Sequence, residues 1–100
     1  MLERISKAAE RFKPFPIYLY YKDRGTFYYV RNTNVHVKQP DGSWKRHISY
    51  VDCHSGVEYC RPSEMFKQEH WSVLSGPQAM EKYDNIHHHT FTVGETNANR

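Results

Sequence analysis

Apolar and polar residues alternate along most of this chain, and changes in the period of that alternation mark its elements. Between Met1 and Lys13, the apolar residues Leu2, Ile5, Ala8 or Ala9, and Phe12 recur at helical spacing. Glu3, Arg4, Lys7, Glu10 and Arg11 fill the positions between them, which predicts an amphipathic helix of about three turns. Pro14 and Pro16 break it and set the chain extended. Period two then takes over. Ile17 to Tyr21 predicts a first strand, ended by Asp23-Arg24-Gly25. Thr26 to Lys38 predicts a long second strand rich in β-formers, whose alternation falters at Arg31-Asn32-Thr33-Asn34 and implies a bend or bulge there. Gln39-Pro40-Asp41-Gly42-Ser43 is the strongest turn signal, with Pro, Asp and Gly in the expected order. In the next strand Trp44, Ile48 and Tyr50 share one face against Lys45 and His47 on the other.

After the turn His54-Ser55-Gly56, Val57 and Tyr59 alternate with polar residues up to Pro62, which has no N–H and should end the ladder. Ser63 is placed to cap a turn that folds Met65 and Phe66 back as an apolar plug. Trp71 to Leu74 predicts a fifth strand, and Gly76-Pro77 opens a short helix. Beyond Asp84 the composition turns to Asn, His and Thr, with Phe91 and Val93 as a possible short strand before a disordered end. The expected layout is a helix over 1–13, a β domain over 14–75, a short helix over 76–84 and a partly disordered, His-rich tail over 85–100. About five short strands with close turns point to a mainly β fold, a small, partly open barrel of SH3-like kind. A sandwich needs about seven strands.

Composition narrows this further. One hundred residues make one domain with a modest core. Aromatic residues make up 15% of the chain, enough to fill a small barrel with few side chains. A net charge of +3 with interspersed signs permits nucleic-acid contact without demanding it. No apolar run approaches the roughly 20 residues of a membrane span, and the amino-terminal stretch is no secretory segment, so a cytoplasmic protein without membrane association is expected. Cys53 and Cys60 flank a hairpin turn at a diagonal too long for a bridge and read as free thiols.

Tyr20-Tyr21-Lys22-Asp23, the tyrosine pair after it, Ile48-Ser49-Tyr50-Val51 and Arg61-Pro62-Ser63-Glu64-Met65-Phe66 occur in a familiar order. Over roughly Tyr18 to Glu69 the chain resembles the small bacterial and phage domain-of-unknown-function family 1653. Asp23 stands where that family usually has Gly, with Gly25 nearby for the turn. The resemblance implies a compact SH3-like β fold and carries over no catalytic residue.

Cys53, His54, Cys60 and His87-His88-His89 offer zinc-ligand types but no compact spacing, and three successive His on a strand would face alternate sides. No metal or cofactor is therefore expected. Neither a nucleophile elbow, a phosphate loop nor a carboxylate pair is present, so no enzyme is expected. The binding signal is interleaved rings and cations, the pattern by which small barrels stack bases and meet phosphates. Tyr21, Lys22, Arg31, Arg46 and Arg61 are the expected ligand-binding residues, converging on one rim and taking nucleic acid or a nucleotide. Arg61 also has a structural reading, bonding strand-end carbonyls or pairing with Glu58 or Glu64. The alternative function is a phage or bacterial regulator or inhibitor that binds a protein partner through the N-terminal helix and barrel edge.

Overall fold

Five antiparallel strands form one open sheet in a computed structural model that describes Arg4, Ile5, Lys7, Ala8 and residues 16–94, with 88–94 described by backbone alone. In chain order they are β1 (Tyr18–Tyr21), β2 (Thr26–Lys38), β3 (Trp44–Asp52), β4 (Glu58–Pro62) and β5 (Trp71–Leu74). Their spatial order is β4-β3-β2-β1-β5. The first four strands thus make a meander, and β5 returns to the free edge of β1. A 19-residue helix, α1 (Gly76–Gly94), follows.

The turns form where the sequence places them. Gly42 takes φ +91°, a conformation open to glycine at little cost. Its N–H donates to the Gln39 carbonyl at 2.9 Å, while the Asp41 carboxylate accepts from the Ser43 N–H at 2.9 Å and hydroxyl at 2.6 Å. The irregularity in β2 is real: register shifts between Val30 and Asn32 and again between Asn32 and Val35 leave extra residues on β2. The Asn32 side chain stabilises this bulge by accepting from the Asn34 N–H at 2.8 Å.

Alternation sends Leu19, Tyr28, Val30, Ile48, Tyr50 and Trp71 to one face, where they build the core with Ile5, Ala8, Ile17 and Phe66. Four strand spacings of about 4.8 Å would separate the edge strands β4 and β5 by ~19 Å if the sheet were flat. Yet the Arg61 guanidinium of β4 lies 5.4 Å from the Trp71 ring of β5. The open sheet therefore curls over the core, and Phe66 packs against side chains of both its edges. Its ring meets Trp71 at 4.9 Å and Tyr50 at 5.3 Å, edge-on to both.

The expected plug is half correct. Phe66 is 1% exposed but Met65 is 51% exposed, because the 3-10 turn Ser63–Met65 leaves no room to bury consecutive side chains on one side. Nor does Ser63 cap the turn, which has no side-chain cap. Pro62 ends β4 opposite His47. Asp52 N–H donates to the Val57 carbonyl at 2.9 Å, so strict alternation of the ladder makes Pro62 a residue whose missing N–H faces away from β3.

The second face carries Tyr18, Tyr20, Phe27 and Val51, and α1 packs across part of it. Ala79 is buried there, Tyr83 meets Phe27 at 5.7 Å, and the Lys82 ammonium sits 4.6 Å over Tyr20. A reciprocal capping box starts the helix: Gln78 N–H donates to the Ser75 hydroxyl at 3.2 Å, and Ser75 N–H donates to the Gln78 side chain at 2.9 Å. The expected end at Asp84 is too early. Between Pro77 and Gly94 there is no Gly or Pro, so nothing interrupts the helix. Phe91 and Val93 accordingly lie in α1 rather than in a strand, while 95–100 fall outside the described residues. Of the expected N-terminal helix, Arg4, Ile5, Lys7 and Ala8 have helical backbone and Ile5 and Ala8 are buried. The rest of 1–13 lies outside the described residues.

Candidate nucleic-acid interface

The five expected site residues do not share a rim. Tyr21 closes β1 with its ring packed against Trp71 at 4.7 Å, on the core face. Lys22 follows it and is tied to the approach to β5, its N–H donating to the His70 carbonyl at 2.8 Å and its ammonium to the Gln68 carbonyl at 3.3 Å. Arg31 sits at the β2 bulge, 3.6 Å from the Glu58 carboxylate, and lines an open cleft of about 430 Å³ with Ser49 and Cys60. Ser49 and Cys60 are register partners on the face away from the core. Arg61 covers the rings of Trp71 and Phe66 at 5.4 and 6.0 Å. It is a lid on the aromatic core, stabilised by cation–π attraction. Neither the carbonyl contact nor the carboxylate pairing expected for it describes this position. Alternation explains the scatter, since strands that curl and bulge point nearby cations to opposite faces.

Arg46 is different, because it lies on the one part of the sheet that stands free. The last pair between β1 and β2 is Tyr18 with Tyr29, and the last between β4 and β3 is Pro62 with His47. Beyond His47, His36–Lys38 and Trp44–Arg46 therefore pair only with each other, as a two-stranded arm ending in the Gln39–Ser43 turn. Register places His36 opposite Arg46 and Lys38 opposite Trp44 on one face, and all four are exposed. Val35, Val37, Lys45 and His47 occupy the other face and are half-buried.

The exposed face is held in place by short contacts. Arg46 donates from Nε to the Thr33 carbonyl at 3.0 Å, which leaves its terminal fork free to turn outward. His36 Nε2 is 2.9 Å from the Asn34 side-chain oxygen. The Lys38 ammonium lies 5.8 Å from the Trp44 ring centre. Trp44 is 62% exposed, whereas Trp71 is 3% exposed. Its expected place beside Ile48 and Tyr50 holds for side-chain direction but not for burial, because the arm runs past the end of the core. Between Thr33 and His47 the chain carries three fixed cations, Lys38, Lys45 and Arg46, against one carboxylate, Asp41. Lys45 is paired with Glu64 at 3.0 Å across an exposed gap, an interaction of little strength in water.

Elsewhere His70 and Asp23 form an exposed pair, Nδ1 to carboxylate at 3.0 Å, which holds the Asp23 carboxyl below its usual range. Among the described residues, no three His, Cys, Asp or Glu are grouped to hold a metal ion. Residues 87–89 are helical rather than extended, and His87 stacks on Tyr83 at 4.0 Å. Both thiols are free. Partial burial, with Asp52 adding to it, pushes the Cys53 thiol up, the opposite of what activates a nucleophile. Among the described residues no helix is long and apolar enough to cross a membrane.

Sequence reasoning singled out Trp44, Lys45 and Arg46 among the interleaved rings and cations, but it missed His36 and Lys38 as their cross-strand partners. The signal was available: a tight turn at 39–43 fixes the pairing of the strands on either side. Searches find no matching family model, curated protein or solved structure.

Proposed function

We propose that this chain is a non-enzymatic nucleic-acid-binding module whose contact surface is the β2–β3 arm. The observation that carries this reading is the exposed face His36, Lys38, Trp44 and Arg46, which places one large ring among cations on a ribbon that runs past the end of the core. Rings contact bases at their faces or edges and cations meet phosphates. Tyr21 and Arg61 serve the core in this reading, and Arg31 serves the cleft with Glu58. The SH3-like barrel is the architecture we assign to the body. Its support is the β4-β3-β2-β1-β5 order, the 3-10 turn leading from β4 toward β5, and the contact of Arg61 with Trp71 across the opening.

The test is fluorescence anisotropy with labelled DNA and RNA oligonucleotides, single- and double-stranded, at low salt. Wild type should bind at least one of them. The Trp44→Ala/Arg46→Ala variant should bind at least about tenfold more weakly, since one stacked ring is worth about 1–3 kcal/mol. Lys67→Ala, an exposed cation outside the arm, should match wild type. A folded wild type that binds none of them, or a double variant that binds as well, removes the arm as a nucleic-acid surface and leaves the protein-partner reading in the lead.

A further inference from the structure

We infer that the nucleic acid taken by this arm is duplex DNA, entered through the major groove; the inference rests on the arm being a nucleic-acid surface at all. The arm's shape comes first. Two strands about 4.8 Å apart, with side chains on both faces, make a ribbon about 10 Å thick. The B-form major groove is about 12 Å wide and about 8.5 Å deep and admits a two-stranded ribbon. His36 to Lys38 alone spans ~10 Å at about 3.3 Å per residue, and the Gln39–Ser43 turn adds to it. Beyond His47 neither β1 nor β4 pairs alongside, so the tip of the arm leads the body into the groove. The major groove of duplex RNA is too narrow and deep for this.

The side chains fit the same occupant. Arg46 has its Nε engaged by Thr33 and its terminal fork available, the group that pairs bidentately with guanine O6 and N7. His36 lies directly opposite it, within reach of the same base step. Lys38 near the tip is available to one phosphate wall, and Lys45 on the reverse face reaches a second phosphate when its exposed 3.0 Å pair with Glu64 opens. Trp44 presents an apolar edge of the kind that contacts a thymine methyl.

A single strand needs something this arm does not offer. Sequence-independent binding of single strands uses several rings in succession, but Tyr28, Tyr50, Phe66 and Trp71 are spent on one another, with centroids 4.9–5.8 Å apart. The arm carries one ring.

The experiment uses the full chain and a labelled mixed-sequence DNA duplex of about two helical turns, competed with that duplex, with each separated strand and with the RNA duplex of the same sequence. The DNA duplex should compete at least about tenfold better than the others. Wild type should also shield guanine N7 from dimethyl sulfate, and folded Arg46→Ala should lose that protection. Equal or better competition by a single strand or by duplex RNA overturns this inference while leaving the arm a nucleic-acid surface. Duplex binding without N7 protection overturns the groove assignment. Binding to none of the probes removes both this inference and the reading it rests on.

Discussion

Replacing Phe66 by alanine takes away a ring that is 1% exposed, from between the side chains that join the two halves of the curled sheet. Full burial of such a side chain is worth about 1.5–3 kcal/mol. Its two edge-on ring contacts, with Tyr50 and Trp71, add about 0.5–1.5 kcal/mol each. The total of about 2.5–6 kcal/mol brackets the usual cost of about 3–5 kcal/mol for Phe→Ala in a core. A small domain has roughly 5–15 kcal/mol in all, so Phe66→Ala should be barely folded. Phe66→Leu keeps most of the volume and should cost about 1–2 kcal/mol, while Met65→Ala, at a 51% exposed position, should cost under about 0.5 kcal/mol. Urea unfolding followed by circular dichroism measures all three. A loss below about 1 kcal/mol for Phe66→Ala, or equal losses for Phe66→Ala and Met65→Ala, would refute the closure by Phe66 and the curl derived from it.

Gly42→Ala should lower stability by about 1–2 kcal/mol, read from the urea midpoint, although a Cβ there meets nothing within 4 Å; the cost is the positive φ alone. Ser75→Ala should remove about 0.5–2 kcal/mol through loss of the capping box, with a matching drop in helical circular dichroism as α1 frays. Burial raises the phenol pKa of both Tyr28 and Tyr50 above the ordinary value of 10.0. Folded phenols then hold their protons more tightly than unfolded ones, so this contribution is complete below about pH 10 and is lost as pH rises through the folded values. Urea midpoints should fall on moving from neutral to strongly alkaline pH, and less so in Tyr50→Phe.

Much of the fold was legible because its elements are bounded by strong punctuation. Pro16 lies just ahead of the first strand, Gly25, Pro40-Asp41-Gly42, Gly56 and Pro62 lie between or at the ends of strands, and the bulge near Asn32 announced itself by broken alternation. The length of α1 was not legible, because a run of His and Asn scores poorly for helix by composition yet contains no residue that stops one already started by Ser75 and Gln78. Met65 was misplaced because a plug of consecutive residues ignores the geometry of a 3-10 turn. The site was only partly legible. Residue types and alternation flagged Arg46 and the rings, but not that β1 and β4 stop short and leave β2 and β3 alone. Strand lengths relative to their neighbours are a tertiary property, and they decide which cations are free.

The most direct measurement of the central claim is the salt dependence of DNA-duplex binding by wild type and by Lys38→Ala/Lys45→Ala. Each phosphate contact contributes about one unit to the slope of log affinity against log salt. The account predicts a steep negative slope for wild type and a slope shallower by about two units for the variant, with the fold unchanged. A variant slope equal to that of wild type would place the phosphates elsewhere on the molecule and contradict the arm as the binding surface.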